Sequence, residues 1–152
     1  MIRLSARVLR TALLLFVTIP GGATAFAQDA APVRLDPDKI AGLGLTAIPP
    51  DAFKDILTGG ELNMRVATLF SGKELRAEIF ESTPAKTNHR TRPTDGDEFV
   101  YVLSGKLILT EVNGTVHEFH PGDSLVLPAG YKGTWEMQGN YRELAVVMQK
   151  GK

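Results

Sequence analysis

From Leu62 onward, apolar and polar residues alternate with a period of two. Leu62, Met64, Val66, Thr68 and Phe70 fall on one side of an extended chain, and Asn63, Arg65 and Ala67 on the other. Ser71-Gly72-Lys73 turns the chain, and Leu75, Ala77 and Ile79 then alternate with Arg76, Glu78 and Phe80. After a long polar stretch, short apolar runs return at 98–103, 107–112, 116–119, 124–127, 134–137 and 144–148. Turn signals separate them at Ser104-Gly105, Asn113-Gly114, Pro121-Gly122-Asp123 and Pro128-Ala129-Gly130. Asn113-Gly114 is a hairpin signal, because a type I′ turn needs positive φ at both central positions. No helix tolerates that density of Gly and Pro. With Leu45 to Ile48, the pattern predicts about nine short strands in an antiparallel sandwich or barrel.

Upstream the pattern is different. Gln28 to Arg34 reads as a flexible leader. Asp36 before Pro37 is an N-cap followed by proline at the first helical position, which predicts a single helical turn. Asp51 to Leu57 predicts a second short helix, with Phe53, Ile56 and Leu57 as its apolar side and Thr58-Gly59-Gly60 as its stop. Residues 28–60 are therefore expected as leader and short helices, and residues 61–150 as the β domain. Thr83 to Gly96, which holds His89, Arg90 and Arg92, is expected as an irregular strand or a rim loop.

The first 27 residues stand apart. Arg3, Arg7 and Arg10 precede the apolar run from Thr11 to Ile19; Pro20-Gly21-Gly22 breaks it, and Ala25-Phe26-Ala27 offers a small-residue cleavage site. This is the pattern of a secretory signal peptide cut after Ala27. A membrane anchor would need about 20 apolar residues, more than this run supplies. Cleavage leaves a soluble periplasmic or secreted product with no membrane segment.

Composition narrows the chemistry. The whole chain has 17 basic and 17 acidic residues, so losing three arginines and no acid leaves a net charge of −3. A mildly acidic domain without a basic cluster has no electrostatic footprint for nucleic acid. The chain has no cysteine, which excludes disulfides, thiolate metal sites, a cysteine nucleophile and a lipid-bearing cysteine. Ser104 and Ser124 sit beside turns with no histidine at a meaningful offset, so no serine triad is indicated. His117 and His120 lie three apart on a period-two strand and point to opposite faces, so they are expected at the rim rather than on one ion.

The stretch from Asn63 to Met148 resembles the cupin superfamily, and more closely its ureidoglycine aminohydrolase-like branch. Glu98 and Gly105 match the second half of the first cupin motif, E-x6-G. Gly122, Pro128 and Gly130 match the second motif, G-x5-P-x-G, and Gly133-Thr134-Trp135 matches that branch's ending, G-x-W. The resemblance implies an all-β fold: a single cupin β-barrel of jelly-roll type, here with short N-terminal helical turns. It also implies where metal ligands would stand. The paired histidines fall at Arg92 and Thr94, or at Thr91 and Pro93, and the distal histidine falls at Gly133. Only Glu98 remains of four ligands. One carboxylate cannot hold a divalent ion, and His89 folded back would make only two donors. No metal or other cofactor is therefore expected.

If Glu98 points inward as its family counterpart does, Val100 and Val102 share its face. Gly133, Trp135 and Met137 share a face across the barrel, with the space of the missing histidine open or taken by Trp135. Arg92 and His89 would stand at the mouth. The expected ligand-binding set is Arg92, Val100, Val102, Trp135 and Met137, with Glu98 and His89 as the candidate catalytic pair. Such a pocket, mostly apolar with a few placed polar groups, suits a small molecule. Two other readings stay open. Glu98 could act as acid/base in an aminohydrolase, isomerase or lyase, or the barrel could be a packed scaffold in which Trp135 is a plug and Glu98 pairs with Arg92 or Arg90. Phe99, Tyr101 and Leu103 on the outer face predict a homodimer.

Overall fold

The computed structural model describes residues 31–148. The predicted signal peptide, residues 1–27, lies outside the described residues. Asp36 caps the helical turn α1 (Pro37–Ile40) by accepting from the Asp38 amide at 3.0 Å. Nine strands follow among the described residues: β1 (Thr46–Ala47), β2 (Leu57–Gly60), β3 (Met64–Ser71), β4 (Leu75–Ser82), β5 (Ala85–Asn88), β6 (Glu98–Glu111), β7 (Val116–Phe119), β8 (Ser124–Leu127) and β9 (Gly133–Met148). Every pairing is antiparallel, and the strands form one curled sheet, so the all-β class expected from the sequence is the one observed.

The strand count agrees with expectation, but the division does not. Ser104-Gly105 is not a turn: β6 runs through it, with register shifts on either side of Ser104. Gly105 takes a φ of 73°, and a Cβ there would stand 2.6 Å from the Gln138 carbonyl oxygen. Gly139, φ 68°, faces it from β9, 3.7 Å from the Gly105 Cα to where its own Cβ would be. The two glycines let the two longest strands bend together, as bulges do where a sheet turns a corner. The second N-terminal helix is also shorter than expected. Pro50–Phe53 forms one 3-10 turn, and Leu57 to Gly60 is a strand on the edge of β5. The glycines read as a helix stop instead carry a strand, because β5 leaves an open edge whose backbone groups need partners.

The sheet has two buried faces. Inside the curl, Val100, Val102, Leu107, Leu109, Trp135, Met137 and Tyr141 make the main core. On the outer face of β3, β4 and β9, Ala67 and Ile79 form a second cluster with Leu45, flanked by Ile40, Leu69, Leu103 and Leu144. The segment from α1 to β1 covers that outer cluster. Gly42 makes the cover possible: its φ is 92°, and any Cβ would collide with the Arg142 guanidinium. Arg142 in turn bonds Glu81 at 2.7 and 3.0 Å, and Glu81 also pairs with Arg65 at 3.2 Å.

Candidate functional site

Strand alternation decides which side chains enter the curl. On β9 the odd positions are buried from Gly133 through Trp135, Met137, Tyr141 and Glu143 to Ala145. Register carries the same face to the neighbours: Glu143 is opposite Phe80 on β4 and Val102 on β6, and Thr87 on β5 is opposite Trp135. A cavity of about 270 Å³ opens there. Glu98, Glu143, His89, Trp135 and Met137 line it, with Arg92 at its edge and Phe53, Ile56, Leu62, Met64 and Phe80 as apolar wall. Five of the residues singled out in the sequence, Glu98, His89, Arg92, Trp135 and Met137, thus come together. Val100 and Val102 share the inward face but are fully buried in the core below, and do not line the cavity.

Each polar group in the site has a distinct environment. Glu98 has no hydrogen-bond or ion-pair partner among the described residues; Arg92 bonds the Ala52 carbonyl at 2.9 Å and Asp55 at 3.3 Å instead. The pairing of Glu98 with Arg92 or Arg90, which the packed-scaffold alternative supposed, is not formed. Burial pushes the Glu98 carboxyl upward, reinforced by Glu78, with Arg76 opposing. Glu143, 5 % exposed, bonds the Tyr141 hydroxyl, which donates to it. Burial raises Glu143 to about 8; the Tyr141 bond works against this, and the Glu98 charge adds to it. Tyr141 is itself pushed up, by burial first and then by Glu143. His89 is lowered, mainly because burial disfavours the imidazolium. Its Nε2 lies 3.1 Å from the Thr87 hydroxyl, and its ring centroid is 5.4 Å from that of Trp135.

Trp135 combines the two roles the sequence left open. It is 9 % exposed and packed in the main core, yet one side bounds the cavity. Its indole N–H is buried without a partner among the described residues. The space of the missing histidine at Gly133 is filled, but not by Trp135: a Cβ there would collide with the Tyr131 hydroxyl and stand 2.6 Å from the Thr110 carbonyl oxygen.

Thr94, another position where the resemblance puts a ligand, is also committed. The Thr94 hydroxyl donates to the Pro128 carbonyl at 2.9 Å and accepts from the Tyr131 amide at 3.0 Å. Among the described residues, no three His, Cys, Asp or Glu side chains are placed to hold one ion. His117 and His120 do not converge: His117 bonds Glu111 at 2.7 Å, and His120 faces Asp123 at 3.8 Å. Asp123 accepts from the His120 amide at 2.7 Å and so braces the turn at Gly122.

A second, larger depression of about 700 Å³ lies under β7 and β8, floored by Leu109, Phe119, Leu125, Leu127 and Tyr131. It contains none of the expected ligand-binding or catalytic residues, although His117 stands on its wall.

Glu143, Glu78 and Tyr141 are the interior residues the sequence reading passed over. The signal was present: the face carrying Gly133, Trp135 and Met137, continued by twos through Gly139, reaches Tyr141 and Glu143. Glu78 shows as a charge amid the apolar positions of its strand, but whether its partner face is interior depends on the sheet's curl.

Residues 71–143 match the family model described as the EutQ-like cupin domain. The curled antiparallel barrel is the cupin fold, and residues 71–143 are similar in sequence to that family. Among solved structures, the Clostridium difficile EutQ protein is 15% identical, with a TM-score of 0.54 over 76% of this chain and 80% of that one. A protein of unknown function from Pseudomonas syringae pv. tomato is 25% identical, with a TM-score of 0.58 over 68% of this chain and 43% of that one. No curated protein matches the chain.

Proposed function

We propose that the protein is an exported, metal-independent cupin that binds a small molecule inside its barrel. The observation that carries this reading is the 270 Å³ cavity lined by Glu98, Glu143, His89, Trp135 and Met137. Apolar walls supply contact area and the few polar groups supply orientation, the usual division of labour in a small-molecule site. The G-x-W ending at Gly133-Thr134-Trp135 supports a place beside the ureidoglycine aminohydrolase-like cupins. The protein should be recovered from its host with a chain starting at or near Gln28, in the periplasm or medium. Mass spectrometry of protein purified without harsh dialysis should then show a co-purifying small molecule, lost in Trp135→Ala. Metal analysis of the same sample should give well under one equivalent of Mn, Fe, Ni or Zn. A stoichiometric metal, or a barrel that binds nothing, would overturn the reading.

A second reading rests on the opposed shifts of two groups in one cavity. Glu98 is pushed up by burial and His89 is pushed down by it, so each is poised nearer neutrality than usual. That is the arrangement of an acid and a base sharing a substrate. It supports an aminohydrolase, isomerase or lyase activity in which Glu98 donates and His89 accepts a proton. Loss of turnover in both Glu98→Gln and His89→Gln would bring this reading forward.

Phe99 and Tyr101 on the outer face are 39 % and 37 % exposed, while Leu103 packs into the outer cluster. We propose that a second copy covers the exposed pair; light scattering should give a dimer that Phe99→Glu dissociates.

A further inference from the structure

We propose that the barrel cavity takes a small organic cation, an amine or amidine with an apolar or aromatic body, held between Glu98, Glu143 and the face of Trp135. This rests on the cavity being a ligand site, as argued above, and adds the class of ligand.

Charge balance points to the class. Two carboxyl groups line the cavity, and Glu98 has no partner among the described residues. Glu143 is answered only by the hydroxyl of Tyr141, which can donate one hydrogen bond but carries no positive charge. The cations nearby are committed elsewhere. Arg92 at the edge is held by Asp55 and the Ala52 carbonyl, and Arg76 pairs with Glu78 at 2.9 Å. His89 is packed against Trp135, and burial disfavours its charged form, so it is a poor counter-charge for the carboxylates. A buried carboxyl without a counter-charge either holds its proton or awaits a cation.

The walls point to the rest of the molecule. Trp135, nine-tenths buried, lines the cavity with its indole N–H unpartnered, and Met137, Met64 and Phe53 complete an apolar surround. An indole face stabilises a nearby cation through its quadrupole, most strongly where water is excluded. An anionic ligand would meet Glu98 and Glu143 with Arg92 already engaged, so the same arrangement rejects carboxylates.

The chain has a single tryptophan, so its fluorescence reports this cavity alone. The test titrates the full exported protein with benzylamine, benzyl alcohol and benzoate, three probes of nearly one shape and different charge. Benzylamine should change Trp135 emission saturably and bind at least tenfold more tightly than benzyl alcohol, with benzoate weaker than both. Glu98→Gln should erase most of that preference, and Glu143→Gln should do the same if the first variant does not fold. Glu118→Gln on the exposed β7 should leave it unchanged. If benzyl alcohol or benzoate binds as well as benzylamine, or the preference survives both inward substitutions, the cation assignment is overturned while the cavity reading stands. If none of the three binds, both are overturned.

Discussion

The outer cluster around Ile79 and the inner cavity around Glu143 are built on the same two strands and are opposites. Ile79 is fully buried between Leu45, Ala67 and Leu144, with no polar group to satisfy. One residue along β4 the side chain points the other way, where Phe80 stands opposite Glu143 and beside a cavity. The outer cluster is apolar and closed by the α1–β1 segment; the inner face holds Glu98 and Glu143 around a cavity that the core does not fill. On the proposed reading the outer cluster serves stability alone, while the inner face carries both the main core and the cavity. The outer face can hold the strands in place while the inner face keeps poorly solvated acids available.

Substitutions should divide along that line. The largest effect on folding is expected for Ile79→Ala, which loses a fully buried side chain in a dry cluster and should cost about 3–4 kcal/mol in urea melting. Trp135 emission and probe binding should be unchanged under folding conditions; a matching loss of binding would mean that the two faces are coupled. Trp135→Ala removes more surface but from a wall that already borders empty space, so it should cost about 2–3 kcal/mol, less than a fully packed tryptophan, and it should abolish binding. If it unfolds the domain outright, Trp135 is a plug and the cavity reading fails.

A smaller effect is expected at Glu143, and it depends on pH. Its folded pKa is raised to about 8, so the folded state holds the proton more tightly than the unfolded chain does. Stability from this group is full in acid, falls as pH rises from the carboxylate range through about 8, and levels off above that. Glu143→Gln should flatten that decline, gaining on the order of 1–3 kcal/mol over wild type at pH 9. A wild-type melting profile with no slope between pH 5 and 8 would remove the buried acid from the account. The smallest change in folding is expected for Arg92→Ala, below about 1 kcal/mol, because its pair with Asp55 is exposed. Freed of Arg92, Asp55 adds a charge at the cavity edge, so cation affinity should rise modestly in a fluorescence titration.

How much of this was legible in the chain differs from residue to residue. The period of two is a local property, so Leu62 to Phe70, Leu75 to Phe80 and the runs after Glu98 could be read as strands from side-chain order alone. Asp36 and Pro37 act within one turn, and their cap formed as read. Ser104-Gly105 misled because a glycine with positive φ serves a turn and a bulge equally well. Only the partner strand, with Gly139 opposite, distinguishes them. Leu57 to Gly60 misled for the same reason: its strand is made by the free edge of β5, not by its own residues.

By itself the sequence determined the all-β class and which residues of each strand share a face, because alternation needs only neighbouring residues; the gathering of Glu98, His89, Arg92, Val100, Val102, Trp135 and Met137 into one pocket was an expectation drawn from the resemblance. Tertiary structure alone decided that Glu143 stands in the same cavity as Glu98, that Arg92 turns to Asp55 and that Tyr131 occupies the space beside Gly133. The first follows from inter-strand register, and the other two from how the connecting segments that carry Arg92, Asp55 and Tyr131 pack. Register is a relation between segments far apart in the chain, and no local pattern encodes which charge will lie across the barrel from which.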